Sequence, residues 1–426
     1  MHPEDGDYLD ALAALSGDDL LAEAEALGER MDHTGLVSRS HVLLLRHLAE
    51  HAPDLLPAAL GLDRVGETSL AEYRFLVQSL IAHAVTPATA RCVYALSRLL
   101  NRGILFFQPV APGLRRLMVC PIAGPVAELL QNATELADPP PAEVLLLAGT
   151  LCVLGQPRGM DQGHNPPARP HAPISLWSQN DVGYLLELIT VAARDNDIVM
   201  HFEGDEIRSS NLVFGLAQEL HTELDTVSLV LTPHLDKIYM EMSRRTIGRG
   251  EDGHRWVNPE FHGWWVYREF AAVVDQSTNS IRRFDEFARL FHVAYHPEYN
   301  GGRDLVYAQP CGVVSTGPAA DFVGWHAVSI ERVARDEDGA WRVYFFNPNR
   351  DKEQDWGQGI VASTSDHGEW EGESSLPFEQ FLSRLYVFHY KLVEIGDPDA
   401  VPAEAIARIR TAVAESWAED RAWLDD

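Results

Sequence analysis

The stretch from Gly324 to Gly359, GWHAVSIERVARDEDGAWRVYFFNPNRDKEQDWGQG, constrains this chain more than any other. Two apolar runs flank Asp336-Glu337-Asp338-Gly339, and Asp-Gly between such runs is a strong hairpin signal. Strands are expected at Trp325 to Val333 and Trp341 to Phe346, the second running into Asn347-Pro348-Asn349. In register, the hairpin brings His326 and Asn347 near the same end of neighbouring strands, where side chains on one face can meet. A His oriented by an Asn makes up two parts of a Cys-His-Asn catalytic set.

Composition narrows the classes. With 426 residues, 46% of them hydrophobic, the chain has material for two or three domains and a sizeable core. Its formal net charge of −29 repels phosphate, so nucleic acid and anionic membrane are not expected partners, and a basic peptide or protein is favoured. The four cysteines, Cys92, Cys120, Cys152 and Cys311, show no CxxC spacing, so neither a disulfide framework nor a zinc ribbon is indicated. A reducing, cytoplasmic setting follows as the expectation. The first residues are acidic and lack the basic n-region of a signal peptide. The apolar stretches, such as Val144 to Leu154, are too short to span a bilayer.

The chain begins helically. Leu9, Leu12 and Leu15, then Leu20, Ala24 and Leu27, fit one or two short helices, and helical spacing continues from Ser38 to about Leu154. Thr86-Pro87 reads as a helix start and Gly103 as a helix stop. Residues 155–173 are dense in Gly and Pro, the mark of a linker or long loop. That loop carries His164 and His171, with no third metal ligand at a sensible spacing. Asn180 or Asp181 is placed to cap a helix over Val182 to Ala193. Ile198 to Phe202 and Val227 to Leu231 read as strands, and His234 to Arg245 and Ile281 to Phe291 as helices. An aromatic block around Trp264-Trp265 lies between those two helices, and a strand-rich region begins after Gly302. Leu376 to Leu392 reads as a helix and then a strand, and Ala403 to Leu424 as a closing amphipathic helix. The expected fold class is α+β, with a helical domain at 1–154, a linker at 155–173, a second domain at 174–398 and a terminal helix at 399–426.

The order of these pieces resembles the papain-like cysteine peptidases, most closely their calpain-like branch. The matching motifs are Gly324-Trp325-His326-Ala327-Val328-Ser329-Ile330, Asn347-Pro348, Trp356-Gly357 and Phe378-Glu379-Gln380-Phe381-Leu382. Together they cover about half the chain, Ser178 to Leu392. The resemblance implies a general base at His326, its orienter at Asn347 and an oxyanion donor at Gln179. It also implies a cysteine at the start of the following helix, yet no Cys, Ser or Thr occurs from Asn180 through Ile189, and Gly183 takes that place.

Three explanations stay open. The chain is a pseudoenzyme; or another residue supplies the nucleophile, with Cys311 on the preceding strand first, then Cys120 and Ser178; or His326 is an ordinary sheet histidine and Asn347-Pro348 a turn. Two function classes follow: an acyl-transfer enzyme of peptidase, deamidase or amide-transferase type, or an inactive binding or scaffold module on the same fold. No cofactor is indicated. His47-Leu48-Ala49-Glu50-His51 spells an inverted zincin motif on a helix but has no distal ligand. The GxGxxG at Gly248 to Gly253 follows a helix and carries two acids that would repel a pyrophosphate.

Overall fold

The computed structural model describes residues 3–157, 171–202, 204–213, 224–247, 268–271, 273–275, 280–282, 284–302, 309–316, 322–347, 360–390, 396–416 and 424–425. His164, the GxGxxG segment, Trp264-Trp265, Pro348 and Trp356-Gly357 lie outside the described residues. For His171, Cys311 and His326 the backbone is described and the side chain is not.

The class is α+β. The helices are α1 (Pro3–Ala14), α2 (Gly17–Thr34), α3 (Arg39–His51), α4 (Leu56–Leu60), α5 (Arg64–Glu72), α6 (Arg74–Ala84), α7 (Arg91–Asn101), α8 (Val110–Met118), α9 (Gly124–Asn132), α10 (Ala142–Gly155), α11 (His171–Asn180), α12 (Val182–Asp195), α13 (Thr226–Ile247), α14 (Phe284–Tyr295), α15 (Phe378–Leu382) and α16 (Ala403–Ser416). The strands are β1 (Val199–Phe202), β2 (Asp205–Arg208), β3 (Arg268–Ala271), β4 (Val273–Asp275), β5 (Ser280–Arg282), β6 (Gln309–Thr316), β7 (Phe322–Arg335), β8 (Trp341–Phe346), β9 (Glu373–Pro377), β10 (Leu385–Tyr390) and β11 (Leu424–Asp425). None of the described helices is long and apolar enough to cross a membrane.

The chain divides into two compact units. The first is Met1–Met160, Asp181–Asp197 and Thr222–Leu231; the second is Asp161–Asn180, Ile198–His221 and Thr232–Asp426. Local chemistry sets the helix ends in the first. Ser16, Ser38 and Asp63 each accept the N–H three residues on, satisfying a donor the helix leaves unpaired. Thr86 and Thr89 form a capping box, but it opens a single 3-10 turn over Pro87–Thr89, and α7 starts only at Arg91. Gly103, at φ +68, ends that helix in the left-handed conformation that glycine adopts without strain. The core is leucine-rich, with Leu44, Leu45, Leu80, Leu96, Leu99 and Leu151 fully buried.

In the second unit, six described strands form one antiparallel sheet in the order β3-β10-β6-β7-β8-β9. One face carries Val328, Ile330, Val333, Val343, Phe345, Leu376 and Phe388, packed with Phe287 and Phe291 of α14, Phe378 and Phe381 of α15, and Ile406 and Ile409 of α16. The expected hairpin is present: Arg335 pairs with Trp341, and Gly339 closes the turn at φ +80. A register shift between Ile330 and Arg332 puts a bulge at Glu331.

Several local expectations are corrected. Val227 to Leu231 lies inside α13, whose start is capped by Asp225 accepting the Ser228 N–H at 3.0 Å. Its β-branched, apolar run looks strand-like because Val227, Leu229, Val230 and Leu231 are all buried, and Pro233 does not end the helix. Ile281 belongs to β5, and the helix after it starts at Phe284. Asp181 holds the N-cap position of α12 without a side-chain capping bond. The segment before it is itself helical, as α11.

Candidate functional site

The candidate site is built where β7 begins and β8 ends. On the backbone, His326 pairs with Val313 of β6, and Cys311 pairs with Val328 of β7 and Phe388 of β10. Cys311 and His326 thus sit two register positions apart on adjacent strands. The last β7–β8 pair is Ser329 with Phe346, so Asn347 follows it, level with Val328 and two residues from His326. Diagonal positions of this kind are roughly 7–8 Å apart. Asn347 is 2% exposed.

The helix lying on β6 and β7 is α11, whereas α12 belongs to the first unit. Ile174, Ser175, Trp177 and Ser178 of α11 are buried, and the Ser178 hydroxyl donates to the Ser175 carbonyl at 2.8 Å. Gln179 stands in the last turn of α11. Its amide donates to the Glu331 carboxylate at 3.1 Å and more weakly to the Ser175 hydroxyl at 3.4 Å. Its side-chain amide is therefore engaged with Glu331 of β7. Glu331 is 6% exposed. The bulge supplies the reason: an extra residue re-aims the side chain, so a carboxylate enters a strand otherwise patterned for burial. That broken alternation, Val-Ser-Ile-Glu-Arg-Val, is the sequence signal for Glu331, a residue that belongs to none of the motifs named above.

The position assigned to the missing nucleophile has a plain physical account. A Cβ placed on Gly183 would lie 2.4 Å from Cδ of Pro109. Glycine is there because α12 meets the Pro109 ring, and a cysteine side chain does not fit without displacement. On its neighbouring side α12 packs on α8, where Gly113 lies against Leu186.

The described thiols are not activated. Burial pushes Cys92 up and raises Cys152 to about 11. Burial also raises Cys120, whose sulfur contacts the Pro121 and Thr190 carbonyls at 3.3 and 3.6 Å. Cys120 precedes α9 by four residues and does not occupy its first turn. Reactive cysteines need the opposite environment, a cation or helix N-terminus that favours thiolate.

Other combinations resolve as structure. Ser209 and His234 meet at 2.9 Å, but the Ser209 hydroxyl also accepts the Ile198 N–H and is fully buried, tying α13 to the β1–β2 hairpin. The His47 and His51 rings lie tilted at 4.8 Å on α3, and the His51 side chain is 58% exposed beside Glu50. Beyond the candidate site, the sheet buries charges that no motif announced. The Glu373 side chain, fully buried, takes a bidentate ion pair from Arg332, whose guanidinium lies between the Tyr344 and Trp370 rings at 3.7 and 4.1 Å. No family model, curated protein or solved structure matches this chain.

Proposed function

We propose that the second unit is a papain-like α+β module that binds a peptide or protein partner without thiol catalysis at the family position. The observation that carries this reading is that α12, whose head the resemblance assigns to the nucleophile, belongs to the first unit with Gly183 against Pro109, whereas the helix on the β6–β7 strands is α11. The raised Cys92, Cys120 and Cys152 support it, since none is poised as a thiolate. With a net charge of −29, the partner chemistry that fits is basic. The setting this reading assumes is cytoplasmic and reducing.

A second reading keeps one specific observation. Cys311 stands two register positions from His326 on the adjacent strand, and Asn347 is level with the residue between them. That arrangement favours an acyl-transfer enzyme with Cys311 as nucleophile, His326 as base and Asn347 as its orienter. The two readings separate under brief, substoichiometric iodoacetamide treatment followed by peptide mapping, with His326→Ala alongside. Slow and similar labelling of all four cysteines supports the binding module. Fast labelling of Cys311 that disappears in His326→Ala overturns it in favour of the enzyme.

A further inference from the structure

Asp336 opens the β7–β8 turn, and its two carboxylate oxygens have different neighbours. Oδ1 accepts the N–H groups of Asp338 and Ala340 at 3.1 and 2.9 Å, which holds the turn. Among the described residues no hydrogen bond reaches Oδ2, although the side chain is only 4% exposed. Nδ1 of His367, from the segment between β8 and β9, stands 3.3 Å from Oδ2 as an ion-pair approach without a hydrogen bond. The Asp338 carboxylate completes a group whose ligand atoms all lie within 4.8 Å of one another. A carboxylate oxygen and an imidazole nitrogen set this close beside a second carboxylate form a ligand group that a cation can fill.

We propose that Asp336, Asp338 and His367 bind a divalent transition-metal ion of the zinc type. Ligand atoms around zinc at about 2.0–2.1 Å in a tetrahedron are about 3.3 Å apart, the separation of Oδ2 and Nδ1. One imidazole with two carboxylates suits zinc, cobalt or manganese; calcium and magnesium take oxygen ligands. The Arg342 guanidinium lies 4.0 Å from Oδ2, held in place by the Ser375 hydroxyl and carbonyl at 2.9 and 3.2 Å. Two carboxylates against that one cation leave the site net negative.

The ligands come prearranged. Tyr344 donates its hydroxyl to the His367 carbonyl at 2.6 Å, the His367 N–H donates to Glu369 at 2.9 Å, and Arg332 donates to the Gly368 carbonyl at 2.8 Å. An ion here links the hairpin turn to that segment. His326 is ten residues back along β7, on the order of 30 Å away, so the ion acts as a staple and not on a substrate held there. This inference is independent of the function proposed above.

The test is zinc titration of the chelator-stripped full chain by calorimetry, with cobalt absorption as a second readout. All forms carry His51→Ala, which removes the exposed His47–His51 pair as a competing site. We expect one ion per chain. His367→Ala and Asp338→Asn should each weaken it by about 100-fold, the upper end of what outer-shell changes cost, and abolish the ligand-field bands of bound cobalt. Asp338 is exposed and His367 half-buried, and circular dichroism verifies that both variants keep the fold. Unchanged zinc affinity in the two variants, no uptake at micromolar zinc, or displacement of zinc by equimolar calcium would each overturn the assignment.

Discussion

The two units bury polar groups differently, although the first also buries two carboxylates, Asp5, paired with Arg39, and Asp197. Within α3 to α10, nearly every buried polar side chain is neutral and tied to a backbone carbonyl. His41 bonds to Ala59, Ser69 to Leu100, Ser97 to Leu60 and Thr150 to Leu146. The sheet unit instead takes charges inside: Glu331, Arg342, Glu373 and Arg384 are all buried. A helix satisfies its own backbone, so a helical core needs only small polar ties where helices meet. A sheet face covered by irregular chain must satisfy that chain's backbone with side chains. Arg332 and Glu373 do this for Gly368 and Trp370. The first kind of burial makes a scaffold. The second makes a surface whose shape depends on a few ionised groups, and both proposed sites lie in that unit.

The largest effect is expected at Glu373. Glu373→Ala strands the Arg332 guanidinium and should cost roughly 3–5 kcal/mol, whereas Ser97→Ala in the helical unit should cost about 1 kcal/mol. Urea unfolding of both variants decides it, and equal losses would remove the distinction drawn here. Next comes Gly183→Cys, which introduces the residue that the papain-like resemblance implies at this position. Overpacking against Pro109 should cost about 1–3 kcal/mol, and the new thiol should react no faster with iodoacetamide than Cys92. A rapidly alkylated, fully stable variant would show that the position is an open active site.

The smallest effect at neutral pH is proton-linked. His292 and His296 stack at 5.8 Å against Phe378, and burial first, then nearby arginines and, for His296, also His292, hold both at about 4, below the usual 6.5. Arg289, Arg408 and Arg335 face the pair, with Glu298 as the opposing charge. The unfolded chain takes up protons below pH 6.5 that the folded chain refuses until about pH 4. Stability therefore falls as pH drops through that window and levels off below it. Above 6.5 the pair contributes no pH dependence. The urea midpoint should decline from pH 7 to 4, and a His292→Gln/His296→Gln variant should decline less. Parallel slopes would show that the two rings are hydrated in the folded state.

Much of the architecture was legible because it is written locally. Ser16, Ser38, Asp63 and Gly103 mark helix ends by their own hydrogen-bonding and conformational chemistry, and Asp338-Gly339 marks the hairpin. The β9 strand was not legible, since Glu-Ser-Ser-Leu-Pro has no apolar alternation and is ordered by its pairing with β8. The α13 helix was misread for the opposite reason, because an all-buried helix loses the amphipathic period that identifies it. Of the site, the strand positions of His326 and Asn347 followed from turn spacing. The engagement of Gln179 by Glu331 did not, as those residues are 152 apart in the chain.

Order alone established an α+β chain, acidic overall, with a hairpin at Asp336–Gly339 and no Cys, Ser or Thr at the head of α12. Turn chemistry, capping and charge act over a few residues, so they can be read from order alone. Only the tertiary structure decided that α11 is the helix on the sheet, that Gly183 is closed by Pro109, and that Asp336 and His367 come within 3.3 Å. Each depends on which distant segments share a surface, and that choice is made by the packing of whole elements.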